Sequence, residues 1–221
     1  LPEPPRGDVD DAAGYLATLH RGVADAARAP GVRPVLLAAA VLGGYDAVEE
    51  YFPLLLAGWG VAPAAIPLVA VPIVLGGTAG AALGGLAVRL PAWVQTVLLA
   101  AAMVLLGGAG AGGQAAGVAA VAAFYGGYRA VLVVVDARLQ ERIPSATRAT
   151  VTSVAGLGTE FATFGVYAAW AAGGAPLLAT GGLLIAALLP VLLRGGVAGS
   201  GAPGIAATRR GEEGAEAGRD A

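Results

Sequence analysis

Apolar residues fill six long stretches of this chain, at 34–56, 65–88, 93–106, 114–135, 150–172 and 177–193. Most are near the ~20 residues with which a helix crosses ~30 Å of hydrocarbon. The pattern predicts an all-α membrane protein built from six transmembrane helices. Prolines punctuate it. Pro34 opens the first stretch where a helix tolerates proline, Pro53 lies near its outer end, and Pro91 and Pro176 stand at the starts of the third and sixth. Pro67 and Pro72 lie inside the second and predict a bend there. Pro144 is expected to stop a short cytoplasmic helix over 136–143, with Ser145 as N-cap of the fifth stretch.

The flanks read differently. Residues 1–11 are Pro-rich and acidic, a linker by composition. Over 12–28, Tyr15, Leu16, Leu19, Val23, Ala26 and Ala27 recur at helical spacing with Arg21, Asp25 and Arg28 between them. This predicts a short amphipathic helix, either lying on the cytoplasmic membrane surface or serving as a solvated linker. After Arg194 the chain is Gly, Ala, Glu and Arg without periodicity. The expected organisation is a cytoplasmic linker with an amphipathic helix at 1–33, a six-helix bundle at 34–194, and a disordered cytoplasmic tail at 195–221.

Charge orients this scheme. Arg21, Arg28, Arg33, Arg89, Arg138, Arg142, Arg148, Arg194, Arg209 and Arg210 fall at the ends or in alternate gaps, while the gaps at 57–64, 107–113 and 173–176 carry no charge. Arg-rich loops stay cytoplasmic. Both termini are therefore expected in the cytoplasm, with an even number of spans. The expected location is the plasma membrane, as a multi-pass protein of the bacterial inner membrane.

Composition narrows the function. The 221 residues are 57% hydrophobic and 13% charged, against about 25% charged in a soluble domain. Spans and short loops use up the chain and leave no room for a separate soluble domain. A net charge of −2 argues against a nucleic-acid partner. The absence of Cys removes disulfides and thiolate metal sites, and His20 alone cannot build a histidine metal cluster. No cofactor or metal is expected. All 13 basic residues are Arg, which together with the Ala and Gly content points to a GC-rich genome. The first residue is Leu and no signal-peptide pattern follows, so the chain reads as a piece of something longer.

Two glycine patterns invite interpretation. Gly76, Gly80 and Gly84 recur every four residues, with Gly77, Ala81 and Gly85 beside them. Such ridges let a neighbouring helix approach closely, as a sliding contact or as static packing. Residues 108–113 match G-x-G-x-x-G. A dinucleotide fingerprint needs a preceding strand, and here the glycines form a turn between two apolar helices.

Ionisable groups at membrane depth cost about 2.5–3.5 kcal/mol or more each and are usually functional. The first stretch holds Tyr45, Asp46, Glu49 and Glu50. Asp46 and Glu50 are one α-helical turn apart and are expected on one face. Carboxyl groups so placed are candidates for taking up and releasing a proton. The fourth stretch holds Tyr125, Tyr128 and Arg129, the one arginine away from the cytoplasmic pattern. Arg129 needs water or a carboxylate, with Asp46, Glu160 or an acid on another part of the protein as possible partners inside the membrane and Asp136 as the one towards the inner surface. The fifth stretch sets Thr152, Gly156, Thr159, Glu160 and Thr163 on one broad face, with Tyr167 further out. Its hydroxyls are expected either to line a wet cavity or to bond their own backbone. The third and sixth stretches have no ionisable residue between their ends and are expected to face lipid. The order polar, glycine-ridged, apolar, then polar, threonine-lined, apolar is a weak three-plus-three repeat of the kind found inside transporter halves.

On these residues the chain resembles the C-terminal half of a major facilitator superfamily (MFS) transporter. The resemblance covers about 15–194. Gly44, Tyr45, Asp46, Glu49, Glu50, Tyr51, Phe52 and Pro53, followed by Gly58, look like the acidic-aromatic seventh span of that family. Gly80 to Arg89 is similar to its glycine-rich loop after the eighth span, with Val88 where the family often has Asp. Residues 138–154, with Ile143, Pro144 and Arg148 to Ser153, look like the loop into the eleventh span.

The resemblance implies twelve spans in two six-helix bundles with substrate between them. The first and fourth helices of each half would line the cavity, and the third and sixth would face lipid. The N-terminal six-helix half would be the partner, preceding Leu1, and 12–28 would end the central linker. The expected function is secondary active transport of a small solute by alternating access, driven by protons, with efflux as one direction. Asp46, Glu49, Glu50, Arg129 and Glu160 are the expected proton-coupling and cavity residues. Tyr45, Tyr125, Tyr128, Thr159 and Thr163 are expected to line the substrate path, and Gly76, Gly80 and Gly84 to pack helices. The rival reading is a six-span scaffold or assembly subunit without transport. An intramembrane enzyme needs a nucleophile–base pair or a metal site, and a chain without Cys or an intramembrane His offers little for either.

Overall fold

A computed structural model describes Gly14, residues 31–143 and residues 148–194. Every described element is helical, and no strand occurs among the described residues. In order they are α1 (Arg33–Gly44), a 3-10 segment (Tyr45–Tyr51), α2 (Phe52–Gly58), a short 3-10 turn (Pro63–Ala65), α3 (Ile66–Ala87), α4 (Ala92–Gly108), α5 (Gly113–Arg142) and α6 (Arg148–Arg194). Among the described residues three helices are long and apolar enough to cross a membrane: Pro63–Ala87, Gly113–Arg142 and Arg148–Leu193, with mean hydropathies of 2.0, 1.8 and 2.2. α4 is apolar but shorter. A helix satisfies its own backbone, which hydrocarbon requires.

Prolines sit where the missing N–H costs nothing, in the first turns of α1, α2 and α3. α3 nevertheless runs on through Pro72. α6 is broken at Gly174, whose φ of 60° and ψ of −151° are reserved for glycine, and the two arms double back there. In the second arm Gly182 packs on Met103 and Ala179 lies by Gly107, so this arm runs antiparallel to α4. Gly158 meets Ala40 and Ala162 meets Gly44, so the first arm runs parallel to α1. α3 and α5 are also parallel: Gly76 faces Ala122, Gly80 faces Gly126 and Gly84 faces Val133.

One end of the bundle gathers the basic residues. The Arg142 guanidinium donates to the carbonyls of Gly31 (3.3 Å) and Leu193 (2.5 Å), and Arg138 donates to that of Val88 (3.4 Å). The core runs through Leu42, Leu56, Leu99, Met103, Phe124, Tyr128, Leu178 and Leu189, all fully buried. α5 is its axis. Its apolar stretch is 56% buried, against 33% in α6 and 17% in α3.

Two expectations about elements change, and a third widens. The first apolar stretch is not one α-helix, because the 3-10 segment separates α1 from α2. The separate cytoplasmic helix over 136–143 is the continuation of α5, whose helical hydrogen bonds nothing interrupts before Arg142. Lipid-like surface is not confined to the third and sixth stretches. Trp93, Val97 and Val104 are exposed on α4, and Leu184, Leu188 and Val191 on the second arm of α6, but so are Leu68, Leu75, Leu83 and Leu86 on α3. The amphipathic segment at 12–28 (apart from helical Gly14), Pro144, Ser145 and the tail at 195–221 lie outside the described residues.

Candidate functional site

The site starts with the local geometry of the 3-10 segment. Three residues per turn eclipse positions i and i+3. Asp46 and Glu49 therefore turn together towards α5, and Glu50 turns towards α6. The α-helical period predicted Asp46 and Glu50 on one face; the tighter winding separates them.

α5 answers with two residues one turn apart. Arg129 Nη1 donates to both Asp46 oxygens, at 2.8 Å to Oδ1 and 2.7 Å to Oδ2. The two side chains are 31% and 37% exposed, so the pair is half-buried at the surface of the bundle. The Tyr125 hydroxyl donates to Glu49 Oε2 at 2.5 Å, while Asp46 Oδ1 lies 3.4 Å away. With one proton to give, this hydroxyl serves Glu49. Glu50 accepts from the Tyr167 hydroxyl on α6, at 3.0 Å to each oxygen. Next to it Tyr51 stacks on Trp170, ring centroids 4.2 Å apart, and ties the 3-10 segment to the first arm of α6.

These groups border a cavity of about 440 Å³ whose walls include Glu49, Glu50, Phe52, Thr78, Tyr125 and Arg129. Phe52 meets Tyr125 edge to face at 5.2 Å, and the Arg129 guanidinium lies 5.8 Å from the Tyr125 ring centroid. Gly77 is what seats this ring. A Cβ there would collide with Tyr125 Cδ1 and Cε1, so the glycine ridge of α3 shapes the cavity as well as the helix contact. Thr78 turns its hydroxyl back to the Val74 carbonyl at 2.9 Å.

Other residues singled out in the sequence lie elsewhere. Tyr45 and Tyr128 are buried, and their hydroxyls donate to main-chain carbonyls, Tyr45 to Leu178 at 2.9 Å and Tyr128 to Leu42 at 2.6 Å. The Tyr128 bond serves a carbonyl at the end of α1, where the change of winding alters the regular ladder. Thr159 packs against Gly43, and the Thr163 backbone lies against Gly44, both within the α1–α6 contact. Glu160 is exposed and forms no ion pair among the described residues. Asp136 lies two turns from Arg129, which pairs with Asp46 instead. Gly76, Gly80 and Gly84 all press on α5. Phe52, Gly77 and Thr78 were not singled out as cavity residues; only the four-residue glycine spacing pointed near them. Among the described residues no group of three or more His, Cys, Asp or Glu is gathered as a metal site would be.

No protein-family model, curated protein or solved structure matches this chain.

Proposed function

We propose that this chain is the C-terminal six-helix half of an MFS-type secondary transporter in the plasma membrane. Both termini lie in the cytoplasm, and a second six-helix half closes over the cavity. The observation that carries this reading is the Asp46–Arg129 pair, joining two helices at 2.7 Å beside an open cavity in an otherwise apolar bundle. Charges at that depth are kept where they border water or each other. Such a partly exposed pair adds little to the stability of a static bundle, which apolar residues of similar size would serve as well.

The chemistry follows from the geometry. Asp46 as carboxylate holds Arg129 and so joins the 3-10 segment to α5. A proton delivered to Asp46 removes the ionic attraction and frees the guanidinium. Glu49 and Glu50 line the cavity beside the pair and offer further carboxylates to a proton on its way to Asp46. Two parallel helix pairs, α1 with the first arm of α6 and α3 with α5, support a three-plus-three arrangement able to rock as a unit. The break at Gly174 supports reading α6 as two spans, which gives six in all.

The test is pH-driven solute flux in vesicles containing the full-length protein. Asp46→Asn and Arg129→Ala are each expected to lower proton-coupled flux about a hundredfold, by analogy with the contribution of one positioned proton-transferring side chain in catalysis. Normal flux in both variants removes this mechanism. Absence of flux in the unaltered protein, with a stable assembly retained, favours the scaffold reading.

A further inference from the structure

The cavity has a charge and a shape that select its ligand. Glu49 and Glu50 both face it, and among the described residues neither has a cationic partner: their hydrogen bonds come from the neutral hydroxyls of Tyr125 and Tyr167. The one cation in the wall, Arg129, is held at 2.7 Å by Asp46 and offers no net positive charge. The wall therefore carries an excess of negative charge with no counter-charge of its own. The rest of it is apolar or aromatic, with Phe52, Val74 and the Tyr125 ring.

Three ligand classes are separated by these facts. An anion meets two uncompensated carboxylates and an arginine already in use. A neutral polyol finds acceptors in the carboxylates but few free donors, because the Thr78 hydroxyl is committed to the Val74 carbonyl and Arg129 to Asp46. A cation with an apolar body gains the carboxylates, the aromatic walls and the displacement of water together. The volume of about 440 Å³ suits a small drug-sized molecule.

We infer that the cavity binds an amphipathic organic cation, its charge between Glu49 and Glu50 and its apolar body against Phe52 and Tyr125. This rests on the transport reading of the same site and names the class of solute it takes. Arg129 stays with Asp46 while the cation is bound, and protonation of the carboxylates weakens its hold and releases it. Exchange of a proton for a cation on these carboxylates acts together with the protonation of Asp46 that frees Arg129.

The probe is radiolabelled tetraphenylphosphonium, with tetraphenylborate as the anion of the same shape. Binding is measured by equilibrium dialysis on the full-length protein in detergent micelles, against micelles alone. The unaltered protein is expected to bind tetraphenylphosphonium saturably and tetraphenylborate no better than the micelles do. Glu49→Gln and Glu50→Gln are each expected to weaken cation binding about tenfold. Thr78→Arg, which adds a positive charge from α3 without touching the acids, is expected to abolish binding. Saturable binding of the anion, no saturable binding of the cation, or cation binding unmoved by both glutamines and by Thr78→Arg overturns the inference. Proton-driven flux of some other solute, with no preference for cations, overturns it alone and leaves the transport reading intact. Charge-selective binding without any flux does the reverse.

Discussion

A guanidinium and a carboxylate 2.7 Å apart in an apolar bundle stabilise each other only while both are present. Removing one leaves the other desolvated without a partner, which costs about 3–5 kcal/mol at a fully buried pair. Here both side chains are about a third exposed, so water recovers part of that cost. Arg129→Ala and Asp46→Asn are each expected to destabilise the protein by about 1–2 kcal/mol. The double variant is expected to lose clearly less than the sum, because it leaves no orphan charge. Thermal unfolding in detergent of the four proteins of this cycle measures the coupling, and strict additivity would mean that the pair makes no energetic contact. The sequence made part of this legible. An arginine two turns inside an apolar stretch demands a partner, and Asp46 was one of three acids within plausible reach. It could not choose among them, because the choice depends on the 3-10 winding of Tyr45–Tyr51, which brings Asp46 and Glu49 round to α5. Tyr45 and Tyr128 misled for a related reason. A tyrosine beside an acid or an arginine reads as a cavity residue, whereas these two buried hydroxyls donate to main-chain carbonyls of neighbouring helices.

Among the elements, α3 and α5 are the most tightly joined, and glycine makes the joint. A Cβ at Gly80 would strike the Gly126 carbonyl on α5, a backbone atom that cannot swing aside, whereas a Cβ at Gly85 would meet open space. Replacing glycine by alanine in a helix otherwise gains up to about 1 kcal/mol. The two substitutions should therefore differ in sign. Gly80→Ala is expected to destabilise by about 1–3 kcal/mol through overpacking, and Gly85→Ala to be neutral or stabilising. Melting temperatures of the two variants decide it, and equal values would mean that the ridge does not set the helix separation. The four-residue glycine spacing was legible because close helix approach needs small residues at one turn's interval. The element boundaries were less so. The polar run from Asp136 to Arg142 marks where the apolar stretch ends but not where the helix does, since a helix hydrogen-bonds itself equally well in oil and in water, and α5 simply continues. Gly173, Gly174 and Pro176 marked a break in the last apolar region, and the positive φ at Gly174 supplies it.

At the scale of the whole molecule, six apolar segments fold so that one end collects Arg138 and Arg142 with the backbone of Gly31, Val88 and Leu193, while Trp59, Ala109 and Gly117 meet at the other. On the proposed topology, arginine retention on the cytoplasmic side would make the first end the inner one. The chain has no cysteine, so single cysteines can report on it without a background. Ala62 and Gly110 are exposed near the uncharged end, and Arg89 and Gln140 near the charged one. In intact cells a membrane-impermeant maleimide is expected to label Ala62→Cys and Gly110→Cys, and to reach Arg89→Cys and Gln140→Cys only after the membrane is opened. Labelling of Ala62→Cys and Arg89→Cys from the same side would mean that α3 does not cross, and with it the six-span topology would fail. Labelling of only Arg89→Cys and Gln140→Cys in intact cells would keep the topology and reverse its direction. A fifth cysteine ties this topology to the site. Thr78 lies midway along α3 on the wall of the cavity, with its side chain exposed, and the proposed pathway requires that exposure to be to water. A small charged thiol reagent is therefore expected to react with Thr78→Cys from one aqueous compartment, more slowly than at the loops. A Thr78→Cys thiol that reacts only with lipid-soluble reagents would place oil against Glu49 and Arg129, and an ion pair there would then have no water through which a proton could arrive.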